Sequence, residues 1–209
     1  MSEKSQPSLR NQASEMGMAA LDGRRARSER SRERIIEAVL TLVKGGMINP
    51  GAQRVADLAQ VSLRTVYRHF EDMESLYEEI ANVCESKFMP IFMRPYVSTD
   101  WKGQLSEHLN RRLQVFEDTL YLRLCTNSRR FQSPSLMQHY NRYLKSERSV
   151  IEALIPEELQ GDTDLVAVLD IAMCFGTYQR LRLEIGYSPA KAKEIVTRIL
   201  SDTIRDIAV

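Results

Sequence analysis

Apolar residues recur along this chain at the spacing of helices, and no segment alternates apolar and polar positions as a half-buried strand would. From Ser31 to Lys44 the residues Ile35, Ile36, Val39, Leu42 and Val43 return on one helical face, and Gly45–Gly46 ends the run. Asn49 followed by Pro50 predicts the cap and first turn of a short second helix reaching about Ala59. Ser62 predicts the cap of a third over Leu63–Phe70, and Asp72 that of a fourth, which reaches at least Lys87 and bends or ends near Pro90. Beyond it, Asp100 opens a helix from Trp101 to about Cys125, and Ser133–Pro134 one that stops before Pro156. Asp162 or Thr163 opens another that ends at Gly186, and Ser188–Pro189 opens the last. The class is all-α, with about nine helices and no internal repeat.

The stretch Arg54-Val-Ala-Asp-Leu-Ala-Gln-Val-Ser-Leu-Arg-Thr-Val-Tyr-Arg-His-Phe70 carries the functional signal. Two short helices joined by a tight turn pack steeply against each other, and close approach needs a small residue such as Ala56 in the first. Val55, Ala59, Val61, Val66 and Phe70 fall on the inward side, as in a helix-turn-helix. At 100° per residue, Leu63, Val66 and Phe70 share one side of the second helix and Arg64 and Arg68 the opposite one. Two arginines one turn apart repel each other, which makes sense where an anion faces them. In a major groove they would meet guanine O6 and N7, with Thr65, Tyr67 and His69 flanking toward phosphates. The alternative is a solvated basic face on a helical hairpin.

Charge distribution agrees with the first reading. Met1–Phe70 carries twelve Lys and Arg against seven Asp and Glu, whereas the remainder carries seventeen against twenty-one. A basic N-terminal third on a mildly acidic body fits a nucleic-acid surface joined to a module that avoids nucleic acid. The run Arg24, Arg25, Arg27, Arg30, Arg32, Arg34 precedes the first helix, after a polar tail (Met1 to about Gly23) expected to be disordered.

The segment Val61–Phe70, followed by Asp72 and Leu76, resembles the recognition segment of TetR-family transcriptional regulators; the resemblance is strong from Arg34 to about Ile80 and extends further only in helix number and order. It implies that Thr65, Tyr67 and His69 touch DNA backbone or bases, that Leu63, Arg64 and Arg68 set sequence preference, and that Gln53 and Arg54 can also reach DNA. With Ser62 at the cap, these form the candidate DNA-binding set. Two positions depart from the family pattern: Gln60 stands where the turn usually has glycine, and Met73 where a phosphate-directed lysine is common. The arginine-rich arm can compensate for the second.

The resemblance further implies domains over residues 28–72 (DNA-binding) and 73–209 (effector-binding and dimerisation), preceded by the arm over 1–27. Two helices apolar on most sides, with Leu165, Val168, Leu169, Ala172 and Gly176 on the first and Ala192, Ile195, Val196, Ile199, Leu200 and Ile204 on the second, suit a four-helix dimer interface built from two copies. The intervening body is rich in aromatic and methionine side chains. There the family encloses a ligand, and Trp101, Phe116, Tyr140, Met173 and Tyr178 are candidate pocket walls; an ordinary filled core is the alternative. Asp170 within the apolar helix could anchor a polar group or a buried hydrogen-bond network.

The function expected is a homodimeric repressor of a pseudo-palindromic operator, released by a small apolar or amphipathic ligand. The alternative in the same fold answers to a protein partner or to redox through Cys84, Cys125 or Cys174, which lack CxxC spacing and suit a reducing cytoplasm. A helical enzyme is the remote alternative: the chain has no GxSxG, phosphate-binding glycine loop or HExxH, and Glu157 and Glu158 fall in a polar loop. Neither cofactor nor metal is expected, because His69, His108 and His139 lack ligand spacing. No apolar run suits a membrane span, nor the N-terminus a signal peptide.

Overall fold

A computed structural model describes the backbone of residues 9–208 and the side chains of residues 23 and 25–208. The chain divides into two compact units, residues 1–76 and 77–209. All regular structure among the described residues is helical.

In the first unit, α1 (Leu9–Lys44) begins well before Ser31. The expected tail lies outside the described residues only as far as residue 8. From Leu9 onward Ala13, Glu15, Met16, Met18, Ala19, Ala20 and Leu21 are strong helix formers, and they extend the helix through the arginine-rich run. Gly46 stops it at φ 88°, with its N–H on the Val43 carbonyl (2.9 Å) and that of Met47 on Leu42 (3.1 Å). α2 (Ala52–Ala59) is capped at Gly51 without a side-chain bond, not at Asn49. Pro50 is buried, and the chain turns into the helix only after it. α3 (Leu63–His69) starts as expected, with Ser62 Oγ accepting from Thr65 N at 3.1 Å. Ile35, Val39, Val43, Val55, Ala56, Val66, Phe70 and Leu76 are buried together in this small bundle. Asp72 caps α4 (Met73–Phe92) through Ser75 N at 2.8 Å, and the division between the units falls within this helix. α4 ends at Phe92, two residues past Pro90, as expected: the proline has no N–H to donate to the carbonyl four residues before it, and the helix stops within that turn.

The second unit contains α5 (Trp101–Arg129), α6 (Pro134–Leu154), α7 (Glu157–Gln160), α8 (Thr163–Met173), α9 (Phe175–Gln179), a π-helical turn (Arg180–Glu184) and α10 (Pro189–Ile204). Asp100, Ser133, Asp162 and Ser188 cap α5, α6, α8 and α10 through their side chains. α5 runs one turn past Cys125 because Thr126-Asn127-Ser128 supplies no breaker; the Thr126 and Ser128 hydroxyls bond back to carbonyls of their own helix. Glu157 and Glu158 lie in α7, not in a loop, at the positive end of that short helix after Pro156. The helix expected from Thr163 to Gly186 is broken at Cys174, whose backbone is extended (φ −76°, ψ 159°). Cys174 Sγ caps α9 by accepting from Thr177 N at 3.4 Å, and Thr177 Oγ1 donates to the Ile171 carbonyl at 2.6 Å. The break and α7 account for the elements beyond about nine. Leu105, Leu109, Phe116, Leu120, Ile151, Leu169, Met173, Tyr178, Val196 and Leu200 belong to one continuous core.

Candidate nucleic-acid interface

α3 exists as a separate helix because α2 ends abruptly. Gln60 takes the left-handed conformation at φ 53° and ψ 46°, and the Val61 N–H returns to the Ala56 carbonyl at 3.0 Å. A side chain there costs roughly 1 kcal/mol. Arg34 of α1 offsets this by donating through Nη2 to the carbonyls of Ala59 and Gln60. The guanidinium thus closes the negative end of α2, and the chain emerges at Ser62 aimed into α3.

On α3, Val66 and the C-cap Phe70 are buried while Arg64, Tyr67 and Arg68 are exposed, Tyr67 at 50%. Leu63 departs from expectation: it is 36% exposed. It lies about 60° around the helix from Val66 and about 20° from Phe70, but it opens the first turn of α3, where its side chain stays partly open to solvent. The Ser62 and Thr65 hydroxyls bond to each other at 2.9 Å. His69 is half-buried with Nε2 covered and without a protein partner. Burial, then the charges of Arg68 and Arg32, lower its pKa. On α2, Gln53 and Arg54 are exposed, and Gln53 Nε2 donates to Asp57 Oδ1 at 2.8 Å.

The arginine-rich part of α1 meets the same surface. Arg27, Ser28 and Ser31 line a shallow groove of about 380 Å³ with Arg68. The Arg32 guanidinium lies 5.5 Å over the Phe70 ring. The side chain of Arg24 lies outside the described residues.

The five candidate ligand walls have different surroundings. Phe116, Met173 and Tyr178 are buried in the core, with the Phe116 and Tyr178 rings 6.0 Å apart. Trp101 packs on the edge of that core, and Tyr140 has the Arg130 guanidinium 4.3 Å over its ring. Tyr178 alone of the five lines the cleft of about 450 Å³ that runs beside Arg111, Glu117 and Lys193. Its hydroxyl donates to Glu117 Oε2 at 2.6 Å, and Arg182 donates to the same carboxylate through Nε (2.8 Å) and Nη2 (2.9 Å).

Sequence reasoning passed over a row of polar residues on the inward face of α5. His108, Arg112 and Thr119 are buried, and Arg123 continues the row half-buried. Their spacing interrupts the stripe Leu105, Leu109, Phe116, Leu120 and was the available signal. Tyr96 Oη lies 3.1 Å from His108 Nδ1, and burial with the nearby charges of Arg112 and Arg111 pushes that imidazole down to about 3. Asp170 is half-buried and makes no hydrogen bond or ion pair among the described residues.

The expected stripe on α8 divides between two faces. Leu169 and Ala172 are buried and Leu165 is half-buried, while Val168 (48%) and, on α9, Gly176 are exposed, as is Ile171 (67%) outside that stripe. On α10, Ala192, Val196, Leu200 and Ile204 turn inward and Ile199 outward. No helix among the described residues is long and apolar enough to cross a membrane, and none of their His, Cys, Asp and Glu side chains form a metal-binding group.

No protein-family model matches the sequence, and no curated relative does. Solved structures match it in fold. A transcriptional regulator from Rhodococcus sp. Rha1 superposes with a TM-score of 0.65 at 16% identity, over 85% of this chain and 99% of that one. A structure described as a TetR-family transcriptional regulator from Syntrophomonas wolfei gives 0.59 at 14% identity, over 87% and 98%. The multidrug binding protein EbrR complexed with ethidium gives 0.53 at 24% identity, over 81% and 98%. The fold is that of the TetR-family regulators.

Proposed function

We propose that a protein with this TetR-type fold acts as a homodimeric, DNA-binding transcriptional regulator: a repressor that grips a pseudo-palindromic operator and lets go when a small ligand enters residues 77–209. One observation carries the reading. Arg64, Tyr67 and Arg68 project from a seven-residue helix whose opposite side is anchored by Val66 and Phe70. Arg64 and Arg68 would read base edges, and Tyr67, Thr65 and His69 would hold the backbone. Ser62 and Leu63 would stand at the groove wall, and Gln53 and Arg54 would add phosphate contacts from α2.

Dimerisation through α8 and α10 is part of the proposal. Val168, Ile171 and Ile199 are exposed apolar side chains that a second copy would cover. Two recognition helices related by a two-fold axis suit inverted half-sites. EbrR has been seen with ethidium, and the shared fold supports extending ligand reception to this protein. Enrichment of bound sequences from random duplexes at fixed salt tests the proposal. A pool with inverted half-sites supports it, and an unenriched pool removes it.

A further inference from the structure

Arg112 lies on α5 with its side chain fully buried. Nη2 stands 2.7 Å from Glu147 Oε2 of α6 in an ion pair, yet Nε and Nη1 donate to no protein acceptor. A guanidinium kept from water with idle N–H groups is unusual, because each unmet donor carries its full desolvation penalty. Were the pair only structural, the surrounding side chains would be expected to complete it.

A second cation adjoins the first. Arg123, three turns along the same face, holds its guanidinium 5.2 Å from the Phe116 ring centroid, and Arg112 approaches that ring at 5.6 Å. Tyr143 and Phe175 flank Arg123 at 4.3 and 5.4 Å. Against these two cations stands one buried carboxylate, Glu147, which also accepts from the Tyr143 hydroxyl. Burial pushes the Glu147 carboxyl up to about 7 against the pull of Arg112 and Arg123. Asp170 of α8 adds a negative charge nearby but pairs with neither arginine.

We propose that this cationic, ring-walled face of α5 receives an amphipathic organic carboxylate, with Glu147 as the internal anion that the ligand displaces. The ligand carboxylate would engage Arg112, whose planar fork suits that group, and its apolar part would rest on the rings. This assignment rests on the reading of residues 77–209 as an effector-binding unit and specifies the effector's charge.

The test uses the full-length protein and two carboxylates, 2-naphthoate and decanoate, each beside its neutral amide. Thermal unfolding and calorimetric titration report binding, and DNA affinity of the ligand-free protein is measured on the same preparation. The expected result is that at least one carboxylate raises Tm by about 5 °C at roughly a hundredfold excess over Kd and that its amide does not. Arg112→Gln should weaken that carboxylate at least about tenfold, and Glu147→Gln should tighten it several-fold by removing the competing anion. Absence of a Tm rise with either carboxylate, equal binding of the amide, or undiminished affinity in Arg112→Gln would overturn the proposal. Should Arg112→Gln fail to fold, unchanged or weaker affinity in Glu147→Gln overturns it equally. Failure of the ligand-free protein to bind DNA would instead remove the regulator reading and leave the anion site standing.

Discussion

Arg34 Nη2 lies 3.0 Å from the Gln60 carbonyl oxygen, and this bond, with its companion to the Ala59 carbonyl, ties α1 to the left-handed turn that launches α3. Twenty-six residues separate the partners, so a surface arginine in the sequence serves as the lock of the helix-turn-helix. Arg34→Ala should lower unfolding free energy by about 1–2 kcal/mol, since a charge-assisted bond to the end of α2 is lost. Gln60→Gly should raise it by about 0.5–1 kcal/mol by relieving the positive φ. Urea unfolding of the full chain reads both. An Arg34→Ala protein as stable as the parent would show that the turn holds itself.

The Glu117–Arg182–Tyr178 network predicts an acid-dependent stability. Hydrogen bonds from Arg182, then from Tyr178, outweigh desolvation and lower the Glu117 pKa in the folded state. A depressed carboxyl contributes stability above its unfolded pKa and loses it as pH falls through the folded value. Glu117→Gln should therefore cost about 1 kcal/mol at pH 7, after discounting for solvent screening, and progressively less below about pH 4. Chemical denaturation of both proteins across that range checks the sign. A deficit that grows as pH falls would contradict it.

The exposed apolar surface of α8 predicts the assembly. Ile171→Glu places a charge where a second copy would pack, yet costs a lone protomer little because Ile171 is 67% exposed. Light scattering after size exclusion should give a dimer for the parent and a monomer for the variant, with helical circular dichroism unchanged. Identical masses would place the interface elsewhere.

Gly103 predicts a site where alanine harms a helix. A Cβ there would stand 2.6 Å from Ser98 Cβ and 2.7 Å from its Oγ, and the Gly103 N–H donates to the Asp100 cap at 2.9 Å. Gly103→Ala should lower stability by about 1–2 kcal/mol despite alanine's better helix propensity. A rise in Tm would mean that the loop before α5 yields freely.

Caps were the most legible part of the sequence. Ser62, Asp72, Asp100, Ser133, Asp162 and Ser188 each mark a helix start through a bond to a residue two or three positions on, so a local pattern contains the whole interaction. Arg64 and Arg68 were legible for a similar reason, as helical periodicity turns them away from Val66. The break at Cys174 was not, because no proline or adjacent glycine announces it and Thr177 stabilises it only once the break exists. Nor was the burial of Arg112 visible, because its partner Glu147 stands on another helix and arginine ordinarily signals a surface. The exposure of Leu63 escaped a face assignment that ignores how a seven-residue helix ends. Likewise, the α8 stripe divided because an apolar residue can serve its own core or a partner, and periodicity does not separate the two.

The outward face of α3 is tested most directly by parallel enrichment of random duplexes with the parent protein and with Arg64→Ala at one salt concentration. The expected outcome is an inverted repeat for the parent and the same repeat for the variant, with base preference relaxed at one position in each half-site, a loss of about 1–3 kcal/mol there. A parent pool without two-fold symmetry, or a variant pool indistinguishable from it, would contradict the account.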